Sequence, residues 1–593
     1  MQRREFLGHM VRTAVAGSTV MATGRSAWSP ADATTGTSRR ASVVDFGADP
    51  TGQKDATAAV QKAIASLAKR NARLVFPAGK YTFAPSNSIL MSFRGYEGLE
   101  IFGNGAELSF AGATRPLQLT DCKDLEIHDI IVDWARPPFS QGVIRAAGDH
   151  SVTVAIDPNY PVDGSEPIQA LLGFNNKARV PVGSGVNIYD VGAAQLRGRQ
   201  TLEIPLTGHV SFKTGDRVVL LHTSGNAASS DAAALRMEGC EQILLETVVF
   251  HAAPGAAVVF SGCRDITLDT LRVIPHPGSG RLISSCGDGV SILDSTGMIT
   301  AQHALIEGTA GAGMRVQQSY WRLSEVKDPQ VALLASTDGK PVPKWLLPAQ
   351  GTFMQLSAAG SLKLLGEIAV SKAEAVPRGM QLTFDETLSP AIGKGALFCL
   401  SATNQAQLKM DDCSFRGGPY AGLVAQSRIR MWNSSFSGYA APAILLAPDL
   451  EHMRGPVVEN IHITDSSFTQ CNVGLGEKRG AITIDTQPER SQVATPADRI
   501  NEGITLQRNT FHDLGGPAIC CAGATWLDVE SNHFNNCDTL RPAGAAPRAV
   551  VLRNLDQSTI TTNEAAAPAK IVMIDCTDKV KVGDNGPLTN VTS

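Results

Sequence analysis

The chain has 593 residues, with 52 Lys and Arg against 56 Asp and Glu, a formal charge of −4. That near balance excludes a dedicated nucleic-acid or anionic-membrane binder, which carries a basic excess, and 18% charged with 43% hydrophobic residues excludes wholesale disorder. Eleven cysteines are too few for a disulfide scaffold at this length, while 56 Gly, 32 Pro and only 6% aromatics favour a turn-rich chain over a helical bundle.

The chain opens Met1-Gln-Arg-Arg-Glu-Phe-Leu7, with an apolar stretch from Val11 to Ala22 and Ser26-Ala27-Trp28 after it. Paired Arg3 and Arg4 before Phe6 and Leu7 predict a twin-arginine export signal and linker over 1–40, hence a periplasmic or extracellular protein. The apolar run is too short and interrupted to span a membrane.

Residues 41–142 are expected to form an N-terminal cap and the first coils of a solenoid. After Val43-Val-Asp-Phe-Gly-Ala48, Asp55 is placed to cap a helix whose Val60, Ile64 and Leu67 share one face. Phe76-Pro-Ala-Gly-Lys-Tyr81 then starts the first strand. Residues 143–230 and 321–398 lose the coil rhythm and carry pieces such as Val218-Val-Leu-Leu221 and Leu362-Lys-Leu-Leu365. Each is expected to be an inserted β-rich domain, separating coils at 231–320 from coils at 399–593.

The coils announce themselves by self-similarity. Cys240, Cys263 and Cys286 recur 23 residues apart, as do Asn509-Thr-Phe511 and Asn532-His-Phe534. Short alternating runs such as Ile243–Phe250 and Ile266–Val273 lie beside turn residues, with no room for helices between them. The predicted fold class is therefore all-β: a right-handed single-stranded parallel β-helix with an N-terminal capping helix and two inserted β-rich domains. The cysteines are expected to form an internal ladder of small thiols. Cys520-Cys521 lacks the Cys-x-x-Cys spacing of a zinc site, so neither metal nor cofactor is expected.

Asp45-Phe-Gly-Ala48, Thr51-Gly52, Asp55, Thr57 and Phe76–Tyr81 resemble the entry signature of the pectate-lyase-like β-helix superfamily. Trp134–Gly142, Arg281-Leu-Ile-Ser284, Ala443–Asp449 and Ile482-Thr-Ile-Asp485, in that order, resemble glycoside hydrolase family 110. That resemblance implies removal of terminal α-1,3-linked galactose by inversion. It matches Asp288 to one family Asp. At the family's next Asp pair this chain has Gly311 and Ala312, with Arg315 at the Asn position and Gln317 at the His position. A family Glu is replaced near Met453 or Arg454. Inverting hydrolysis needs an acid and a base roughly 6.5–9.5 Å apart, and Gly and Ala move no protons.

At a step of 23 residues, Asp265 and Asp288 stack one coil apart, which would make an acid beside a base. The competing reading makes both strand-start turn residues. The candidate substrate-binding residues are Trp134, Arg136, Arg281, Arg315, Tyr320 and Asp485. Trp134 equally suits burial beneath an insert, and Tyr320 with Trp321 equally suits an anchor for the second insert. The expected partner is an oligo- or polysaccharide. Three outcomes remain open: a glycosidase with a rearranged site, a non-catalytic glycan binder, and a lyase using Arg315.

Overall fold

The computed structural model describes residues 39–592, apart from 87, 113, 176–190, 208–211, 223–231, 337–338, 340, 457, 475–478 and 487–498; all but the last two residues of the predicted export segment lie outside the described residues. Its body is a parallel β-helix, each full coil contributing three short strands to three faces. One coil runs through Glu241–Glu246, Val249–Phe250 and Val258–Ser261, and the next through Arg264–Asp269, Arg272–Val273 and Val290–Leu293. Equivalent strands pair in parallel: Ile243 with Ile266, Val249 with Arg272, Val258 with Val290.

Alternation decides which side chains face inward. Ile243, Leu245, Ile266 and Leu268 point into one continuous apolar core. Further along, Phe415, Phe436, Phe468, Phe511 and Phe534 stack in a column with ring centroids 4.7, 5.4, 4.9 and 5.3 Å apart. These distances follow the strand spacing of about 4.8 Å, so the 23-residue step between Phe511 and Phe534 is one true coil. A corner beside them carries a polar ladder. Ser434 accepts from Cys413 N–H, Ser466 from Ser434, Asn509 from Ser466, Asn532 from Asn509 and Asn563 from Asn532. Each side chain satisfies a corner N–H that the strands leave unpaired.

The cysteine expectation holds for two of its three members. Glu241 pairs with Arg264, so Cys240 and Cys263 are consecutive corner residues, and Cys122 precedes them because Lys123 pairs with Glu241. Arg264 pairs next with Thr296, however, and Cys263 N–H donates to Ser295 at 3.1 Å. Ser295, not Cys286, continues the ladder. The coil carries a longer excursion after Val273, and Leu282, Ile283 and Cys286 pack into the apolar core of the first inserted sheet.

The helix Thr57–Ser66 places Val60 and Ile64 in the solenoid core and covers its open N-terminal end, where unpaired strand edges would otherwise invite association. Asp55 acts one position before the N-cap: Ala56 holds that place, and Asp55 Oδ1 accepts the Thr57 N–H and hydroxyl at 3.1 and 2.7 Å. The first excursion is a six-stranded antiparallel sheet whose strands fall within Phe139–Leu221. The second is a closed six-stranded barrel running from Trp321 to Leu400. The sheet begins before the sequence boundary at 143, because Phe139–Ala147 pairs with Ser151–Ile156. The barrel runs past 398, because Leu397–Leu400 closes it against Trp321.

Candidate functional site

The third face of the solenoid is built from Val290–Leu293, Met314–Ser319, Leu423–Ala425, Ile444–Leu446 and Ile482–Ile484. Val290, Ile292, Met314, Val316, Leu423 and Ala425 point inward. Alternation therefore turns Ser291, Arg315, Gln317 and Val424 outward. Asp288 lies in the turn leading into this face.

Asp288 is fully buried and fully occupied. Its Oδ2 accepts the Arg315 Nε–H and the Ser291 hydroxyl, each at 2.7 Å, and its Oδ1 accepts the Ala312 N–H at 2.7 Å. The Asp288 side chain has 0% exposure and that of Arg315 15%. Burial alone pushes the Arg315 pKa down, but the Asp288 carboxylate more than offsets it and holds the guanidinium above its ordinary value, with smaller help from Tyr420 and Asp449. The guanidinium carbon sits 5.5 Å from the centre of the Tyr420 ring, and Tyr420 is 37% exposed. Ala312, Ala421, Val424 and Leu445 complete an apolar floor beside the pair. The segment after Leu446 folds back across this face, where Arg454 and Gly455 pair antiparallel with Ser319 and Gln318. Beneath it Gln317 and Gln426 are buried, with Gln317 Nε2 and Gln426 Oε1 unpartnered among the described residues.

Residues 41–121 match the family described as rhamnogalacturonase A/epimerase, pectate lyase-like. Over most of its length the chain is similar to curated alpha-1,3-galactosidases. It is 22% identical to alpha-1,3-galactosidase B of Bacteroides thetaiotaomicron, covering 92% of this chain and 93% of that one. It is 22% identical to alpha-1,3-galactosidase A of Shewanella woodyi, covering 84% and 86%. Both similarities run across nearly the whole of each chain. Among solved structures, the family 28 exopolygalacturonase of Yersinia enterocolitica aligns over 94% of this chain and 78% of its own, with 12% identity and a TM-score of 0.35.

The predicted pairing of Asp265 with Asp288 does not occur. Asp265 belongs to a corner of the first face, where its Oδ1 accepts the Met298 N–H at 2.9 Å and Gly297 lies over it. The assumed step of 23 fails there because the coil from Arg264 to Thr296 is longer. The next coil is also off by one: Val290 pairs with Met314, so Ala312 rather than Gly311 lies over Asp288. Gly311 remains close, and a Cβ on it would lie 2.3 Å from Asp288 Oδ1.

Asp288 and Arg315 are brought into contact, and Asp485 lies further along the same face, following Ile482–Ile484. Asp485 is half-buried and its Oδ1 accepts the Thr486 N–H at 2.7 Å. The other candidates lie elsewhere. Trp134 is fully buried in the core, its Nε1 donating to Gly112 O at 3.1 Å. Arg281 pairs with Asp133 at 2.6 Å and ties the long excursion to the coil. Arg136 donates to the Phe139 carbonyl and the Ser140 hydroxyl at the root of the first sheet. Tyr320 is no sugar platform: it is 1% exposed, packs with Leu362, Leu397 and Cys399, and burial pushes its phenol well above the ordinary value. It anchors the barrel. Ser291, Tyr420 and Gln426 escaped the sequence reading. Outward alternation finds Ser291 and Gln426 once the register of the third face is known, but Tyr420 lies in a turn.

Proposed function

We propose that this protein is an exported carbohydrate-active β-helix that holds glycan on its third face and does not cleave it by the paired-acid inverting route. The observation that carries this reading is the sealed Asp288 carboxylate. A general acid or base must reach the proton it moves; Asp288 is wholly enclosed, and each of its oxygens already accepts a hydrogen bond from the protein. The positions matched to the family's second pair are Gly311 and Ala312, and Ala312 lies in the apolar floor. Losing such a partner removes about 10²–10⁴-fold of rate.

What remains suits recognition. Tyr420 offers an exposed ring face, and Arg315 an edge of fixed positive charge beside it. The similarity to alpha-1,3-galactosidases favours a galactose-containing glycan. Export by the twin-arginine route belongs to the same reading, on the strength of Arg3 and Arg4.

The test is a glycan-release screen on α-galactosides and uronate polymers, beside binding measurements, for the parent, Asp288→Asn and Tyr420→Ala. The expected result is no release by any of the three, with galactoside binding weakened in Tyr420→Ala. Release by the parent that Asp288→Asn abolishes would return Asp288 to catalysis and sink the proposal. Export is tested by Arg3→Lys with Arg4→Lys, which should retain the protein in the cytoplasm.

A further inference from the structure

We propose that the crevice between the barrel and the solenoid is a second carbohydrate subsite, which takes a short neutral oligosaccharide. The crevice has a volume of about 560 Å³ and is lined by Trp321 and Trp345 from the barrel excursion and by Glu241, Arg264, Thr296 and Gln407 from the coils. Ligand pockets typically enclose about 300–1,000 Å³ and favour junctions between structural units.

The coil side is shaped to receive an indole. Gly239 and Gly262 occupy the same corner of consecutive coils, with φ of +60° in both. A Cβ on Gly262 would lie 2.3 Å from Trp345 Cε3, and one on Gly239 2.6 Å from Trp345 Cβ. Glycine adopts this conformation without strain, and its lack of a Cβ lets Trp345 lie against both corners. One side of Trp345 is thus fixed by the solenoid, and the residue is only half-buried, as is Trp321. Two partly open indoles in one crevice offer the flat apolar surface that the C–H face of a pyranose covers.

The polar rim decides the charge class of the ligand. Arg264 is exposed beside Asp265, and Glu241 stands 3.8 Å from Lys123, so neither sign dominates. Asp294 spends its carboxylate on the Ser319 N–H and hydroxyl and on Arg454. Gln407 and Thr296 make no side-chain hydrogen bond to any described residue and are placed to meet hydroxyl groups. A polyuronate would demand a cationic excess that the crevice does not have. Neutral hydroxyls paired with amide, hydroxyl and isolated charges fit it. The crevice shares none of Asp288, Arg315 and Tyr420, so it stands apart from the function proposed above.

The experiment labels the full chain with 5-fluorotryptophan and assigns the Trp321 and Trp345 fluorine resonances by Trp321→Phe and Trp345→Phe. Maltotriose, laminaritriose and α-1,3-galactobiose are then titrated, with trigalacturonate as the charged comparator. At least one neutral probe is expected to shift both resonances and leave that of Trp526 in place. Gln407→Ala and Arg264→Ala, both at exposed positions, are expected to weaken that binding fivefold or more, and Tyr420→Ala to leave it unchanged. Unmoved Trp321 and Trp345 resonances with all three neutral probes overturn the proposal. So does binding that ignores Gln407→Ala, binding that Tyr420→Ala abolishes, or tighter binding of trigalacturonate. Loss of galactoside binding on the Arg315 face with these shifts intact sinks the function proposed above and leaves the second subsite standing.

Discussion

Replacing Arg315 with leucine strands the Asp288 carboxylate. Among the described residues the guanidinium supplies the only full positive charge in contact with it, through the 2.7 Å Nε–H bond. The Ser291 hydroxyl and the Ala312 N–H remain, two neutral donors for a charge that cannot reach water. Breaking a buried pair by removing one partner costs about 3–5 kcal/mol, and the complete enclosure of Asp288 places Arg315→Leu in that range. Asp288→Leu is expected to cost a comparable amount, because it leaves Arg315 charged against an apolar floor. The double change removes the desolvation penalty together with the attraction, so its stability should lie much closer to the parent, as apolar replacements of buried pairs do. Urea unfolding followed by tryptophan fluorescence reads all four proteins. The dependence on urea must be compared among them, since a long repeat array need not unfold in one step. The reasoning fails if the two single costs add to within about 0.5 kcal/mol of the double, the behaviour of independent sites.

Gly311→Asp, which would restore an acid near the family position, is expected to lower the unfolding midpoint and release no galactose, because its Cβ would lie 2.3 Å from Asp288 Oδ1; galactose release by this variant would refute that account. His222 is held near pKa 4, first by burial and then by the charge of Arg136, and its Nε2 lies 3.0 Å from the Ser140 hydroxyl. The unfolded chain takes up a proton at this residue below its ordinary value of 6.5, while the folded chain does not until about 4, so stability present above 6.5 is lost as pH falls through this window. The loss is worth up to about 3 kcal/mol at roughly 1.4 per pH unit; urea midpoints measured between pH 7 and 4 should fall less steeply in His222→Gln, and equal slopes would count against it. Asn532→Ala removes an Oδ1 that accepts from Asn509 N–H and Nδ2 at 2.9 and 3.1 Å and an Nδ2 that donates to Leu506 O and Asn563 Oδ1 at 2.8 and 3.0 Å. Unsatisfied buried groups cost about 1–3 kcal/mol each, so a loss of roughly 3 kcal/mol is expected; a midpoint unchanged from the parent would deny the ladder any role in stability.

The solenoid was legible because its signal is local and repeated. Asn509 to Asn532 and Phe511 to Phe534 keep an uninterrupted coil between them, and their spacing survives folding as vertical stacking. The site was legible only in part. Asp288, Arg315 and Asp485 do share the third face, but the carboxylate pair expected of Asp265 and Asp288 rested on counting residues across an excursion. Equal spacing of Cys240, Cys263 and Cys286 along the chain concealed a change of coil length, and Cys286 left the ladder for the core of the inserted sheet.

Alternation, corner residues and capping helix follow from chemistry within a few residues, so the sequence by itself determined the β-helix. Where the chain returns after a long excursion is a tertiary matter. The energy that places it comes from contacts between residues distant in sequence, such as Leu282 and Ile283 against the inserted sheet or Trp345 against Gly239 and Gly262. Those contacts, not spacing, decided that Arg315 closes over Asp288 and that a second crevice opens beside the barrel.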